Sequence, residues 1–361
     1  MGDARKTYRT IRKSLKDLYP SEPKGNLARQ LNTLAGMICG IVGSLSSHLP
    51  KIAKKAPDDT KKESRAKKFS RWINNERIEF EIYYQPYAKA LLLSLAGHPL
   101  ALIMDGSDVG RGCVTLMISV VYKKRALPIA WITVQGHKGH FPEETHVQLL
   151  EKVFGIVPEG CDVIFLGDGE FDGTTLQATV AAYGWQYVCR TAKNAQIDED
   201  GDCFPLYEVD VQPGECIDLP DVSVTQQQYG PVLVIAWWEK ENEDPIYLIT
   251  NMELAAEACY WYGKRFRIET FFSDQKSRGF NIQKSHLSDP ERLSRLMMTA
   301  CLAYIWMVYL GVVAKRDDWV KIIHRTDRCD LSLFRLGLEL LEHFLDKDLT
   351  IPVAFQMPVL I

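Results

Sequence analysis

The sequence predicts an α/β protein with helical regions at both ends, and three observations carry that expectation. Apolar residues recur at helical spacing in the first 95 residues, as in Leu27, Leu31, Leu34, Ile38 and Ile41. From residue 99, apolar runs of strand length give way to helical patterns in the order strand, strand, strand, helix, strand, helix, strand. A long apolar helical segment then runs from Leu293 to Val313. A chain of 361 residues with 46% apolar and 25% charged side chains is ordinary globular material, sized for two or three domains, and disorder is excluded as its main character.

Pro20, Pro23, Pro50 and Pro57 punctuate the N-terminal region, residues 1–95, into three or four helices. Its most basic stretch, Lys51–Arg77, has an apolar face of Phe69, Trp72, Ile73 and Ile78. Residues 1–80 hold 18 Lys and Arg against 8 Asp and Glu, a net +10, and the remainder holds 25 against 38, a net −13, behind a total of only −3. The split suits a basic arm for a polyanion joined to an acidic body that holds cations; a solvated helical surface accounts for the charge equally well. A small helical module with one basic side is a common DNA-binding design, although no recognition helix stands out.

PLALIMD (99–105) reads as a strand ending in Asp105, and CVTLMISVVY (113–122) and ALPIAWITV (126–134) as a hairpin turning at Lys123-Lys124-Arg125. A helix follows over 143–154, then the strand CDVIFLGD (161–168) ending in Asp168, a helix over 174–183 and the strand WQYVCR (185–190). Gly201, Pro205, Pro213, Gly214, Pro220, Gly230 and Pro231 break this order, so residues 195–245 read as a β-rich insertion. PIYLIT (245–250) returns to strand before a long helix over 253–278. The expected organisation is a helical basic region (1–95), an α/β domain in two pieces (96–194 and 246–290), the insertion (195–245) and a helical C-terminal region (291–361).

MGDARKTYRTIRKSLKD lacks an apolar signal core, and Lys6 stands where a myristoylation signal wants Ser or Thr, so a cytoplasmic protein is expected. Leu296–Val313 contains Thr299, Tyr304 and Tyr309 and reads as a buried helix, so no membrane partner is expected. Nine cysteines without a CxxC pair suit a reducing compartment and outline no zinc site. His137, His140 and His146 lack the context of a metal site and read as loop or helix-start residues. Gly106, Gly110 and Gly112 make no phosphate loop, because no Gly-Lys-Ser/Thr follows.

Two aspartates at strand ends give the first chemical signal. In open α/β sheets ligands gather beyond the carboxyl ends of strands, but an Asp after a strand is also an ordinary turn residue. Asp105 and Asp168 are informative only as a pair on neighbouring strands. Asp108, Glu170 and Asp172 beside them read as supporting or turn residues. The helix over 253–278 gives the second signal: Tyr262, Arg265, Glu269 and Lys276, spaced by 3, 4 and 7, fall within about 60° on one stripe. Taken alone, the stripe is equally a solvated face with an i,i+4 ion pair.

Tyr-x2-Arg-x3-Glu-x6-Lys is matched in full at Tyr262, Arg265, Glu269 and Lys276, and through it the chain resembles the DDE transposases of the insertion-sequence-four type. FLGDGEFD around Asp168 resembles that family's second-aspartate motif, with Gly169 where the family usually has Arg. VCRTAKN resembles the basic strand that follows it, and LIT, the Tyr-Arg-Glu helix and DPERLSRLMM keep the family order, so the likeness covers about residues 99–310. The resemblance implies an RNase H-like core in which Asp105, Asp168 and Glu269 bind two divalent ions, Mg²⁺ or, in its place, Mn²⁺. Hard carboxylate oxygens suit such ions, and two such ions stabilise both the attacking and the leaving oxygen of an in-line displacement at phosphorus. It further implies that Tyr262, Arg265 and Lys276 grip phosphates near the cleaved end and that Arg190 and Lys193 contact the transferred strand. An aromatic residue of the insertion would stack a flipped base, with Trp237, Trp238 and Tyr247 available, although core packing is the better account of at least two of them.

The function this implies is cleavage of the ends of an insertion sequence and their joining to target DNA, through a hairpin intermediate. The implied partners are double-stranded DNA, as terminal inverted repeats and as target, and a second copy of the chain across the C-terminal helices; the implied place is the bacterial cytoplasm, at the nucleoid. An RNase H-like nuclease without strand transfer and a domesticated DNA-binding protein are the alternatives. Retention of all three carboxylates speaks against the second.

Overall fold

The computed structural model describes residues 2–57, 60–137, 139, 141–325 and 328–358, so His140 lies outside the described residues. The N-terminal region forms α1 (Gly2–Asp17), α2 (Gly25–Ser44), α3 (Leu49–Lys55), α4 (Lys62–Ile73), α5 (Phe80–Tyr83) and α6 (Gln85–Leu95). Proline opens α3 and α6 in their first turns, where the missing N–H has no helical partner to lose.

The chain then makes β1 (Leu100–Gly110), β2 (Cys113–Tyr122), β3 (Arg125–Gln135), α7 (Glu143–Phe154), β4 (Val163–Gly167), α8 (Thr174–Ala182) and β5 (Gln186–Thr191). The segment read as an insertion supplies β6 (Gln196–Glu199), β7 (Asp202–Pro205), β8 (Cys216–Val224) and β9 (Tyr229–Trp237), followed by β10 (Ile246–Thr250). Among the described residues all ten strands form one sheet, ordered β3-β2-β1-β4-β5-β10-β9-β8-β6-β7. β1, β4 and β5 run parallel, and the other neighbours pair antiparallel. The β-rich segment therefore extends the same sheet through β10 and does not form a layer of its own. β2 and β4 are buried almost throughout, which is why they read as continuous apolar runs without polar alternation: both faces of the sheet are covered here.

The helices that follow are α9 (Ala255–Tyr262), α10 (Arg267–Gln275), α11 (Pro290–Arg316), α12 (Val320–Ile323) and α13 (Leu333–Asp346). Two expectations are corrected. The strand that was to end in Asp105 runs on to Gly110, because β2 continues to pair with it as far as Cys113. The single helix over 253–278 is two helices, α9 and α10, joined by a tight turn at 263–266.

α11 is the axis of the molecule. Its length and hydropathy would suit a membrane span, but 94% of that apolar window is covered by the protein itself. Asp289 caps it by accepting the Arg292 N–H at 2.8 Å, with Pro290 in its first turn. α13 packs against it backbone to backbone. A Cβ added at Gly311 would lie 1.9 Å from the Leu333 carbonyl oxygen, and one at Gly337 would lie 1.8 Å from that of Met307. On another face, the buried Arg295 donates to the carbonyls of Ile73 at 3.2 Å and Ile78 at 3.3 Å, tying α11 to the end of α4. One continuous apolar core runs from Ile11 in α1 to Met357.

The glycine contact is testable. Gly337→Ala must push α13 off α11, and overpacking of this kind costs about 1–3 kcal/mol or more. The urea midpoint should fall accordingly, and a midpoint equal to wild type would mean that the helices do not approach this closely.

Candidate active site

The sheet register sets the two aspartates side by side. β1 and β4 pair in parallel up to Ile103 opposite Leu166, so two further residues bring Asp105 opposite Asp168 on the same face. β4 and β5 pair up to Gly167 opposite Cys189, so the next step sets Arg190 on the other side of Asp168. Asp105 is buried, 2% exposed, and its Oδ1 accepts the Gly106 N–H at 2.7 Å. Asp168 is partly exposed and accepts the Glu170 N–H at 3.1 Å. Ser107, two residues beyond Asp105 and on its face, accepts a hydrogen bond from Lys276 Nζ at 2.7 Å, which brings that ammonium group over β1.

The break between α9 and α10 places the remaining residues. Gly263, a poor helix former, follows α9, and the N–H groups of Lys264, Arg265, Arg267, Ile268 and Glu269 each bond three residues back. Tyr262 is the last residue of α9, Arg265 lies in the turn, Glu269 is in the first turn of α10, and Lys276 follows its last residue. Arg265 is turned inward and is only 6% exposed. Its guanidinium reaches Asp168 Oδ2 at 3.5 Å and Glu269 Oε1 at 3.4 Å, and it lies 4.3 Å from the ring centroid of Phe266. Its Nε is buried with no acceptor among the described residues.

Tyr262 is 2% exposed. Burial raises its phenol above the ordinary value, offset by the charges of Arg265 and Arg190 and reinforced by that of Asp168, so it sits inside the same charged group. Its ring centroid lies 6.0 Å from the Arg265 guanidinium carbon. Lys193 stands apart in the exposed turn after β5, where its carbonyl accepts the Tyr207 N–H at 2.8 Å. Glu269 is more than half exposed and meets Asp168 only through Arg265. Among the described residues no three His, Cys, Asp or Glu side chains are gathered closely enough to hold a metal ion.

Of the aromatic residues in the insertion and β10, Tyr247 is buried in the sheet, and Trp238 is half-buried with its Nε1 donating to the Asn242 carbonyl at 3.0 Å. Phe266 is an exposed ring, 54% exposed, and lies against the Arg265 guanidinium that reaches Asp168 and Glu269. It lies within the signature, and the helical spacing alone gave no reason to single it out. Ser107 was also missed, although its position two residues after Asp105 on a strand assigns it to the same face. His146 is buried in α7 with its ring 4.8 Å from that of Phe171, so it packs beneath the Asp168 loop. Asp172 is held by the Thr191 hydroxyl at 2.8 Å, and burial raises its carboxyl.

α10 is anchored at its far end by a buried ion pair. Arg125, at the start of β3, donates from Nη1 to Asp274 Oδ2 at 2.8 Å. Burial lifts the Asp274 carboxyl to about 6, with Arg125 and Arg278 pulling it the other way.

The family described as transposase DDE domain matches residues 97–306, from just before β1 into α11. That span includes both aspartates, the whole Tyr-Arg-Glu-Lys signature and Arg190, and the chain belongs to this family. A cryo-EM structure of a piggyBac transposase synaptic complex with hairpin DNA is similar at 12% sequence identity and a TM-score of 0.48, over 96% of this chain and 79% of that one. No curated protein matches the chain.

The Asp274 anchor predicts a pH dependence of stability. Its folded-state value of about 6 lies above the ordinary 3.8, so folding favours the protonated carboxyl. That contribution is fully present below the unfolded value and is lost as pH rises through about 6, by on the order of 3 kcal/mol for this group. Wild type should therefore lose stability relative to Asp274→Asn between about pH 4 and 6 in urea titrations. A difference that stays constant over that window would contradict the assignment.

Proposed function

We propose that this transposase-family chain is a metal-dependent DNA transposase that cleaves the ends of an insertion sequence and joins them to target DNA, releasing the element through a hairpin intermediate. The observation that carries the reading is the lateral pairing of Asp105 with Asp168, flanked by Arg190, Arg265 and Lys276, inside the segment that the family matches. An RNase H-like core is the scaffold proposed for it: β1–β3 as an antiparallel meander, with β4 and β5 laid parallel beside β1, support that reading.

Asp105 and Asp168 offer hard oxygens side by side, the donor set that Mg²⁺ and Mn²⁺ take, and the residues present fit a divalent ion in that respect. Glu269 would be the third ligand. Two bound ions would supply charge stabilisation at the attacking and leaving oxygens of the phosphodiester. The chain's own work is to position DNA. Arg265, whose Nε has no acceptor, would take a backbone phosphate as an alternative bidentate partner, and in doing so release Asp168 and Glu269 from each other's shared counter-charge. Lys276 and Arg190 would hold neighbouring phosphates, and Lys193 would extend the row. Tyr262 acts as a positioning residue, packed behind Arg265. Terminal inverted repeats and target duplex are the proposed substrates, and synapsis of two ends requires a homodimer.

The test is cleavage and joining of a duplex carrying the inverted repeat that flanks the coding region, with Mg²⁺ and with EDTA. Asp168→Asn should reduce Mg²⁺-dependent cleavage by about a thousandfold or more, the loss expected when several kcal/mol of charge stabilisation disappear. Lys276→Ala should weaken binding or hairpin formation while leaving the melting temperature unchanged. Equal cleavage by wild type and Asp168→Asn would rule out the enzyme reading, and cleavage without joining would make the chain a nuclease.

A further inference from the structure

Four separate segments bring five basic groups together at the junction between the N-terminal helices and the sheet. Arg111, in the turn after β1, contacts His286 Nδ1 through Nη2 at 2.9 Å. The His286 ring meets that of His48 edge-on, with centroids 5.0 Å apart. His48 precedes α3, and the charges of Lys51 in α3 and Lys62 in α4 act on its ring. Arg111, His286, Lys51 and Lys62 are exposed, and His48 is half-buried.

Hydrogen bonds fix the loop that carries His286 in place. The Arg111 N–H donates to the Leu287 carbonyl at 3.0 Å, and Asn281 Nδ2 donates to the Leu45 carbonyl at 3.2 Å, fixing the 276–289 loop to both sides of the junction. His286 is held at φ +64°, a conformation that non-glycine residues adopt at a cost. Burial and then the neighbouring His286, Lys51 and Lys62 push the His48 ring below its ordinary value, which marks a place where an anion would relieve repulsion. The same loop begins at Lys276, beside the carboxylates. Six residues along β1 from Asp105 to Arg111 span about 20 Å, the length of about six base pairs measured along a duplex axis.

We infer that Arg111, His286, His48, Lys51 and Lys62 form a phosphodiester site that receives the DNA backbone about 20 Å along the sheet from Asp105, clamping the N-terminal helices and the sheet onto one duplex. This inference rests on the transposase reading for the identity of the polyanion. It assigns the basic surface that the composition left open to a particular junction, and it makes Arg111 and Lys51 contacts to one backbone.

The experiment measures binding of a labelled duplex carrying the flanking inverted repeat, by fluorescence anisotropy, between about 50 and 200 mM salt. For Arg111→Ala with Lys51→Ala, the slope of log Kd against log salt should fall by about 2, shrinking the affinity change over that range by about tenfold. Lys51→Glu with Lys62→Glu, on exposed helix positions, should weaken binding further without lowering the melting temperature. Lys321→Ala, an exposed lysine in α12, serves as the reference for a general loss of charge. A double variant that keeps the wild-type slope, or loses no more than Lys321→Ala, overturns the site. Cleavage by wild type is scored separately: a chain that cuts while the slopes stay equal loses only this inference, whereas a slope that drops in a chain that cuts nothing supports the site and removes the transposase reading.

Discussion

A guanidinium that is 6% exposed is stable only with its charge answered at close range, and the arrangement around Arg265 follows from that requirement. Asp168 and Glu269 answer it at 3.5 and 3.4 Å, and Phe266 covers one face. On a straight helix Arg265 and Glu269 would make an ordinary solvated pair, worth a few tenths of a kcal/mol. The tight turn at 263–266 changes the outcome by rotating Arg265 inward while leaving Glu269 near the surface. The ion pair to Asp168 then spans two chain segments, so the end of β4 and the start of α10 are positioned by one side chain.

The depth of Asp105 depends on a different constraint. β4 stops at Gly167 while β1 continues to Gly110, so beyond Ile103 the strand has an antiparallel partner on one side and a loop on the other. A carboxylate in the middle of a fully paired strand would face apolar neighbours and be costly. Here it lies on the same face as Asp168 and Ser107, the residue that carries the Lys276 contact, and its Oδ1 accepts the Gly106 N–H. The early end of β4 places Asp168, and not a further apolar strand residue, beside Asp105 on that face.

Much of this fold was legible in the sequence where local pattern and burial agree. The spans 113–122 and 143–154 match β2 and α7, because each is bounded by turn residues and carries an unambiguous period. The pairing of Asp105 with Asp168 was legible as a conditional, requiring neighbouring strands, and the register supplies them. The break in the signature helix was not legible, since i, i+3 and i, i+4 spacing is satisfied equally by one helix or by two joined through bonds three residues back. The extension of β1 was hidden by GSDVG, whose composition reads as a turn although β2 pairs with it. The Arg125–Asp274 anchor joins residues 149 positions apart, a separation at which neither partner's local sequence carries a signal.

The charge asymmetry also takes a different meaning from its first one. A +10 segment on a flexible tether would bring DNA near the carboxylates only on average. Here the N-terminal helices share one apolar core with the sheet; the Tyr84 hydroxyl donates to the Pro128 carbonyl of β3 at 2.8 Å, and the Arg295 bonds to Ile73 and Ile78 tie them to α11. Buried polar contacts of this kind are directional, so they fix orientation as well as proximity. A polyanion held on the basic face is thereby held at a set distance from Asp105 and Asp168. On the proposed function, a basic region fixed in this way would do more than raise local concentration, because it would set which phosphodiester along the strand reaches the carboxylates.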